Sequence, residues 1–514
     1  MSHSAARVLS HLLLLSLLVL PFDSARNAAN AAEGEALFDM VKQKAEALAA
    51  ADYVAPQEVD VAGLPQGYDE YRRVTYDRER ALWQSSPTGF QVQFLPAGWL
   101  FKHAVDIWAV EDGEPSQIAL GPDDFVDGRS TAEGRLDMVE QSIPLSGFRI
   151  NWPLNEEGKA DEVIVFQGAS YFRALARGQH YGLSARALAI DTASPSGEEF
   201  PEFREFWLVQ PREGDTSITI YALLDSPSAA GAYRFTVTPG AVTLVDVDSM
   251  VYPRREIANF GIAPLTSMFL VGPIAPRRAD DFRPEIHDSD GLAILNGSNE
   301  RIWRPLANPR TLQISSFMDA GVKGFGLMQR ERRFPRYEDL EARYDLRPST
   351  WVEAGEGFQD GNVVLVEIPT DLEIHDNIVS YWQPAQPLVP GTPRRFAYTL
   401  QWRKHAPTQE MGPHVMWTRA GGVPAAGDEE IYRFIIDYSP AASGDPATMR
   451  QAEVTTSKGT VRHVSVQDNE VTGGLRVTFE FLPEGAKVAE LRATLPSSPD
   501  IPAENWLYRW TPTR

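Results

Sequence analysis

From Phe396 to the end, the chain repeats an apolar residue at every second position. Phe396, Tyr398, Leu400 and Trp402 share one parity, as do Tyr432, Phe434, Ile436 and Tyr438. Leu475, Val477, Phe479 and Phe481 alternate with Arg476, Thr478 and Glu480, and Trp506, Tyr508 and Trp510 close the chain in the same way. Successive side chains of an extended backbone point to opposite faces, so this parity predicts strands with one buried face. The pattern recurs upstream at Phe90, Val92 and Phe94, and at Tyr233, Phe235 and Val237 before the Pro239-Gly240 turn. Between the runs lie SPTG, LPAG, SPSGEE and LDSPSAAG, spaced as turns of an antiparallel architecture. The prediction is an all-β protein.

Two exceptions are expected. Phe38, Val41, Ala45 and Leu48 recur at helical steps and predict one amphipathic helix ending before Ala51. The stretch RYEDLEARYDLRP predicts a second, short helix within Arg336–Pro348. Three prolines and a glycine in QPLVPGTPRR, residues 386–395, mark a domain boundary. The expected division is a leader over 1–31, a large β domain over 32–388, and a smaller β-sandwich of immunoglobulin-like size over 389–514.

The leader is read from Arg7 and the apolar run Val8–Leu20, too short to span a bilayer, followed by the small-x-small site Ala29-Asn30-Ala31. Cleavage near Ala31 would deliver the chain across a membrane by the ordinary route, since no arginine pair precedes the run. No other run is long enough for stable membrane insertion. A formal charge of −22 disfavours nucleic acid and anionic lipid, but does not repel neutral polyols. Without any cysteine, stability must come from a large core.

The chemistry concentrates between Asp281 and Trp382. Here lie DDFRPEIHDSDG, RIWRPLANP, GFGLMQRERRF, EARYDLRPSTWVE and VEIPTDLEIHDNIVSYW. Carboxylates, tryptophans and guanidinium groups together are what a sugar site needs: acids to move protons, rings to stack, forked donors for hydroxyls. Asp288 and Asp376 are the candidate acid–base pair, with Glu285, Asp290, Glu353 and Glu367 as competitors. The same acids could simply pair with Arg283, Arg304, Arg343 and Arg347, and Trp303, Trp351 and Trp382 could be core. DSDG at Asp288–Gly291 is half a calcium loop without its closing glutamate, and neighbouring His and Asp on a strand diverge, so no metal is assigned. Phosphate-loop, serine-elbow and thiol chemistries are absent, and nothing calls for a cofactor.

These segments, with YFRALARGQHYGLSARALAIDTASPSGEEFPEFREFW upstream, resemble the periplasmic glucan biosynthesis proteins G and D of Proteobacteria over essentially all the mature chain. Length and the ordinary leader favour the G branch. The resemblance implies a large galactose-mutarotase-like sandwich followed by an immunoglobulin-like one, a periplasmic location, and a role beside a membrane glucosyltransferase making β-1,2-linked glucan. D-branch relatives are inverting hydrolases or transglycosylases. By their motifs Asp376 is the general acid, Asp288 the base and Tyr344 the relay between water and base. Arg283, Glu285, Trp303, Arg304, Arg347, Trp351 and Trp382 then become candidate sugar-binding residues. Arg301 in GSNERIWRP stands where relatives often carry a tryptophan, which alters the expected subsite. The alternative is a glucan-binding scaffold without catalysis.

Overall fold

The computed structural model describes residues 20–59, 64–127, 142–274, 280–424, 430–440, 451–496 and 503–512. The apolar leader run lies outside them except for Leu20, and the described helix Leu20–Ala50 continues through the position expected for cleavage. Phe38, Val41 and Ala45 bury against Val110, Trp207, Tyr221, Leu223 and Tyr252, so the helical periodicity marked the face that docks. No basic residue of the helix itself caps its C-terminal end. Arg254 does so from outside, donating to the carbonyls of Leu48 at 2.7 Å and Ala51 at 3.3 Å. Among the described residues no helix is long and apolar enough to cross a membrane.

Everything else of size is strand. A ten-stranded sheet runs in the order 91–96, 145–152, 161–167, 171–174, 184–186, 260–267, 378–384, 361–367, 313–319, with 188–190 also pairing 260–267. A fourteen-stranded sheet packs over it. Alternation turns Phe148, Phe166 and Phe172 of the first sheet inward against Phe203, Phe206 and Phe235 of the second. Their rings meet at 5.0 Å (Phe148–Phe206), 5.2 Å (Phe166–Phe235) and 5.3 Å (Phe172–Phe235). Each such buried ring stabilises the sandwich by roughly 1.5–3 kcal/mol. The opposite parity, which includes Arg149 and Arg173, faces outward.

The second unit is a smaller sandwich that shares one layer with the first. Its strands 453–456, 489–494 and 505–510 extend the fourteen-stranded sheet through the parallel pairs Ile302↔Asn505 and Trp303↔Trp506. A four-stranded sheet (415–422, 432–438, 474–482, 460–469) covers this extension, placing Phe434 and Phe479 at 5.7 and 5.9 Å from Trp506.

Two expectations need correction. Strand 394–403, assigned from the prolines to the second unit, lies inside the first, between 243–253 and 349–354. Phe396, Leu400 and Trp402 are buried in the large core; the proline-rich stretch is only the loop that returns the chain to that sheet. The short helix expected within Arg336–Pro348 is also absent. Two 3-10 turns, Phe334–Arg336 and Tyr344–Leu346, stand in its place. Arg343 at φ 44° breaks any helical path, and Arg347 is extended, as a residue before proline tends to be.

Candidate active site

Three segments far apart in the chain meet beside the inner strands of the ten-stranded sheet. Ile286–His287 pairs with Phe269–Val271, and the Asp288 amide donates to Met268 O at 2.9 Å, which aims the Asp288 carboxylate away from the strand. Asp376 lies in the loop entering strand 378–384. Its neighbour Asn377, fully buried, holds that loop in place. The Asn377 amide donates to Phe269 O (3.0 Å) and Ile368 O (2.9 Å), while its oxygen accepts from the Phe269 amide at 2.8 Å. The same strand therefore supports both aspartates. The Tyr344–Leu346 turn supplies the third side, followed by Arg347.

Arg347 ties these parts together. Its guanidinium donates to Asp288, sits 4.2 Å over the Tyr344 ring, and donates through Nε to Ala342 O at 3.1 Å. It fits because Gly182 has no side chain: a Cβ there would lie 3.0 Å from Arg347 Cβ. The Tyr344 hydroxyl donates to Glu373 at 3.2 Å, and Arg283 pairs with Glu373, Asp281 and Asp339, each at 2.8 Å. Across the site, Arg173 reaches within 3.8 Å of Asp376 while donating to Ser184 Oγ at 2.6 Å. Outward-facing Arg149, Glu162 and Tyr181 continue the polar strip from there (Arg149–Glu162 3.2 Å, Tyr181–Glu162 2.5 Å).

The two carboxylates differ in environment. The Asp376 side chain is 38% exposed. Asp288 is buried, and burial raises its pKa above the ordinary range; the Arg347 charge pulls it down and the Asp376 charge pushes it up again. Burial likewise raises the Tyr344 phenol, with Arg347 opposing.

Among the other expected site residues, Arg283 and Arg347 belong to this cluster. Glu285 lies behind it, fully buried against His287 (3.0 Å) and Arg336 (2.7 Å). The remaining four are corrections. Trp382 has no exposed surface, stacks on Phe358 at 6.0 Å and donates to Gly357 O at 3.2 Å. Trp303 and Trp351 are buried in slots made by glycines on neighbouring strands, Gly291 and Gly324, where a Cβ would collide with the indole. Arg304 forms a buried pair with Glu367 at 2.9 Å, a competitor acid thereby excluded from the cluster. Arg301 is also buried, donating to Gly412 O (3.2 Å) and Pro413 O (3.3 Å) at the seam between units, so it forms no sugar subsite. Asp290 accepts the amides of Arg330 (3.0 Å) and Glu331 (2.9 Å), and Glu353 accepts from Gln401 on the adjacent strand of the fourteen-stranded sheet at 2.8 Å.

Sequence reasoning did not find Arg173, Gly182, Glu373 or Asn377. Asn377 directly follows Asp376, and a buried amide beside a candidate acid is a signal that could have been weighed. Arg173 comes from a segment that carries the family resemblance but no acid–base pattern of its own. Among the described residues no group of three or more His, Asp or Glu side chains is placed to hold a metal ion. A cavity of about 1210 Å³ lies elsewhere, between the N-terminal helix and the outer face of the larger sheet; Glu353 lines it, but none of the residues clustered around Asp288 and Asp376 does.

Residues 37–510 match the family described as periplasmic glucan biosynthesis protein, MdoG. The chain is 44% identical over 476 residues to Glucans biosynthesis protein G of Vibrio cholerae serotype O1, covering 92% of this chain and 86% of that one. It is 45% identical over 506 residues to the protein of the same name from Rhodopseudomonas palustris, covering 97% and 99%. A galactose mutarotase related enzyme of Lactobacillus acidophilus overlaps 47% of this chain and 96% of its own at 9% identity, with a TM-score of 0.20, too loose to bear on the fold.

Proposed function

The chain belongs to the periplasmic glucan biosynthesis protein family and has a role in making periplasmic glucan; from that premise we propose that it cleaves or rearranges β-1,2-linked glucan with inversion at the anomeric carbon. Asp376, the accessible carboxyl, gives its proton to the departing glycosidic oxygen. A water, or a glucose hydroxyl in transglycosylation, attacks the opposite face of the sugar. Its proton passes to the Tyr344 oxygen as the Tyr344 proton passes to Asp288. The relay requires the phenol to turn from Glu373 toward Asp288. Asp288 then loses the proton to solvent and Asp376 regains one, closing the cycle.

The observation that carries this reading is the contrast between two interacting carboxylates brought together from distant segments. One is exposed to an arriving chain; the other is buried and paired with Arg347, whose charge favours the ionised form that a base needs. Arg173 and Arg283 supply donors for sugar hydroxyls. In this proposal the substrate is glucan emerging from the membrane glucosyltransferase, met in the periplasm after leader cleavage near Ala31.

The test is incubation of the mature protein with linear β-1,2-glucan beside Asp376→Asn. Shortened or rearranged glucan from the parent but not from the variant is the expected result. Glucan binding without product from either protein would replace catalysis with a scaffold role.

A further inference from the structure

Directly behind Asp288 lies a buried group of side chains that the proposed chemistry does not use. His287 has no exposed surface. Its Nδ1 is 2.8 Å from Gln329 Oε1 and its Nε2 is 3.0 Å from Glu285 Oε2. Gln329, equally buried, donates through Nε2 to two backbone carbonyls, His287 O at 2.8 Å and Tyr344 O at 3.1 Å. Carbonyls only accept, so the amide nitrogen must face them, and the amide oxygen is left facing Nδ1. An amide oxygen also only accepts, so Nδ1 carries a proton. On the other side Glu285 is held by Arg336 at 2.7 Å as a carboxylate, so Nε2 carries one as well.

The ring stacks on Phe269 at 5.3 Å and meets the edge of Tyr337 at 5.3 Å. The charged groups acting on it are Glu285 and Asp290, with Arg336 beyond Glu285 and Glu331 3.9 Å from Arg336. Burial lowers the His287 pKa, but Glu285 and Asp290 outweigh it and the net shift is upward.

The amide of Gln329 thus joins the backbone one residue before Asp288 to the backbone of Tyr344 itself. We propose that Gln329 and an imidazolium at His287 are positioning residues, which set the distance between the base Asp288 and the turn carrying Tyr344 and Arg347. This rests on the acid–base reading above. Neither side chain touches substrate. They act through the two groups between which the proton must pass, where small displacements cost rate more than binding.

Two measurements decide it. In full-length mature protein labelled with 15N-histidine, the His287 signals are identified by their loss in His287→Gln. Both ring nitrogens are expected in the protonated range at neutral pH; a neutral tautomer at neutral pH overturns the imidazolium. The second compares Gln329→Leu with Gln329→Glu, each checked for folding by its melting curve. The glutamate, ionised beside the His287 imidazolium, still accepts from it but has no proton to donate to the Tyr344 or His287 carbonyl. Both variants should lose about tenfold or more in kcat on β-1,2-glucan, with KM within about twofold of the parent. Parental kcat in a folded Gln329→Glu protein overturns the positioning role, and this variant decides alone should the leucine protein not fold. If the parent itself has no turnover, the acid–base reading fails, and the Asp288–Tyr344 separation in a crystal of Gln329→Glu decides: unchanged, it overturns the positioning role, and lengthened, it supports it.

Discussion

Asp376 and Asp288 make opposite demands of their surroundings, and each can be tested by one substitution. Asp376 is partly exposed and its nearest cation, Arg173, is 3.8 Å away, a contact that contributes little to folding. Asp376→Asn should therefore melt like the parent yet lose about 10²–10⁴-fold in turnover; a residual rate near that of the parent would remove Asp376 from the chemistry. As the proposed base, Asp288 would work only when ionised, so activity should fall as pH drops through its raised pKa. Arg347 is the largest influence pulling that pKa down. Arg347→Gln should push Asp288 further up and move the acid limb of the kcat/KM profile to higher pH. A limb that stays put, or moves down, would separate Arg347 from the base.

At the scale of elements, what matters is how closely backbones approach. Gly182 lets its segment lie against Arg347 and Pro348, where an added Cβ would sit 3.0 and 3.2 Å from their side chains. Gly182→Ala should cost about 1–3 kcal/mol of stability through overpacking. It should also lower kcat, because the atom displaced belongs to the residue holding Asp288; denaturant melts and steady-state rates read the two effects separately, and parental values in both would mean that the segment yields without cost. Strands were legible in the sequence because alternation follows from the extended backbone itself. Their neighbours were not. Trp303 and Trp351 look like sugar platforms in a list of residues, but the glycines that make room for them sit on other strands. The missing helix at Arg336–Pro348 is a local failure of the same kind: Arg336, Asp339 and Arg347 pair with Glu285, Arg283 and Asp288 from distant segments, and Arg343 takes a left-handed backbone.

At the scale of the molecule, the two units share one continuous sheet and a buried ion pair. Arg330, 3.5 Å over the Trp303 ring, donates both terminal nitrogens to Glu504 at 2.8 Å, and Glu504 also accepts the Val415 amide at 2.9 Å. Removing one partner of a buried pair strands the other charge. Glu504→Gln should cost about 3–5 kcal/mol and lower a single melting transition, since the pairing Trp303↔Trp506 couples both units; two separate transitions in calorimetry would show them to be independent. The amino-acid sequence alone determined the β class, the amphipathic helix and the family, because residue type, parity and local motif carry that information, and it named the two aspartates as candidates. Only the tertiary structure decided which sandwich strand 394–403 enters, which tryptophans are core, and that Arg173, Glu373 and Asn377 join the site. Parity states that a side chain is buried, not what lies opposite it, and that depends on pairings between residues hundreds of positions apart.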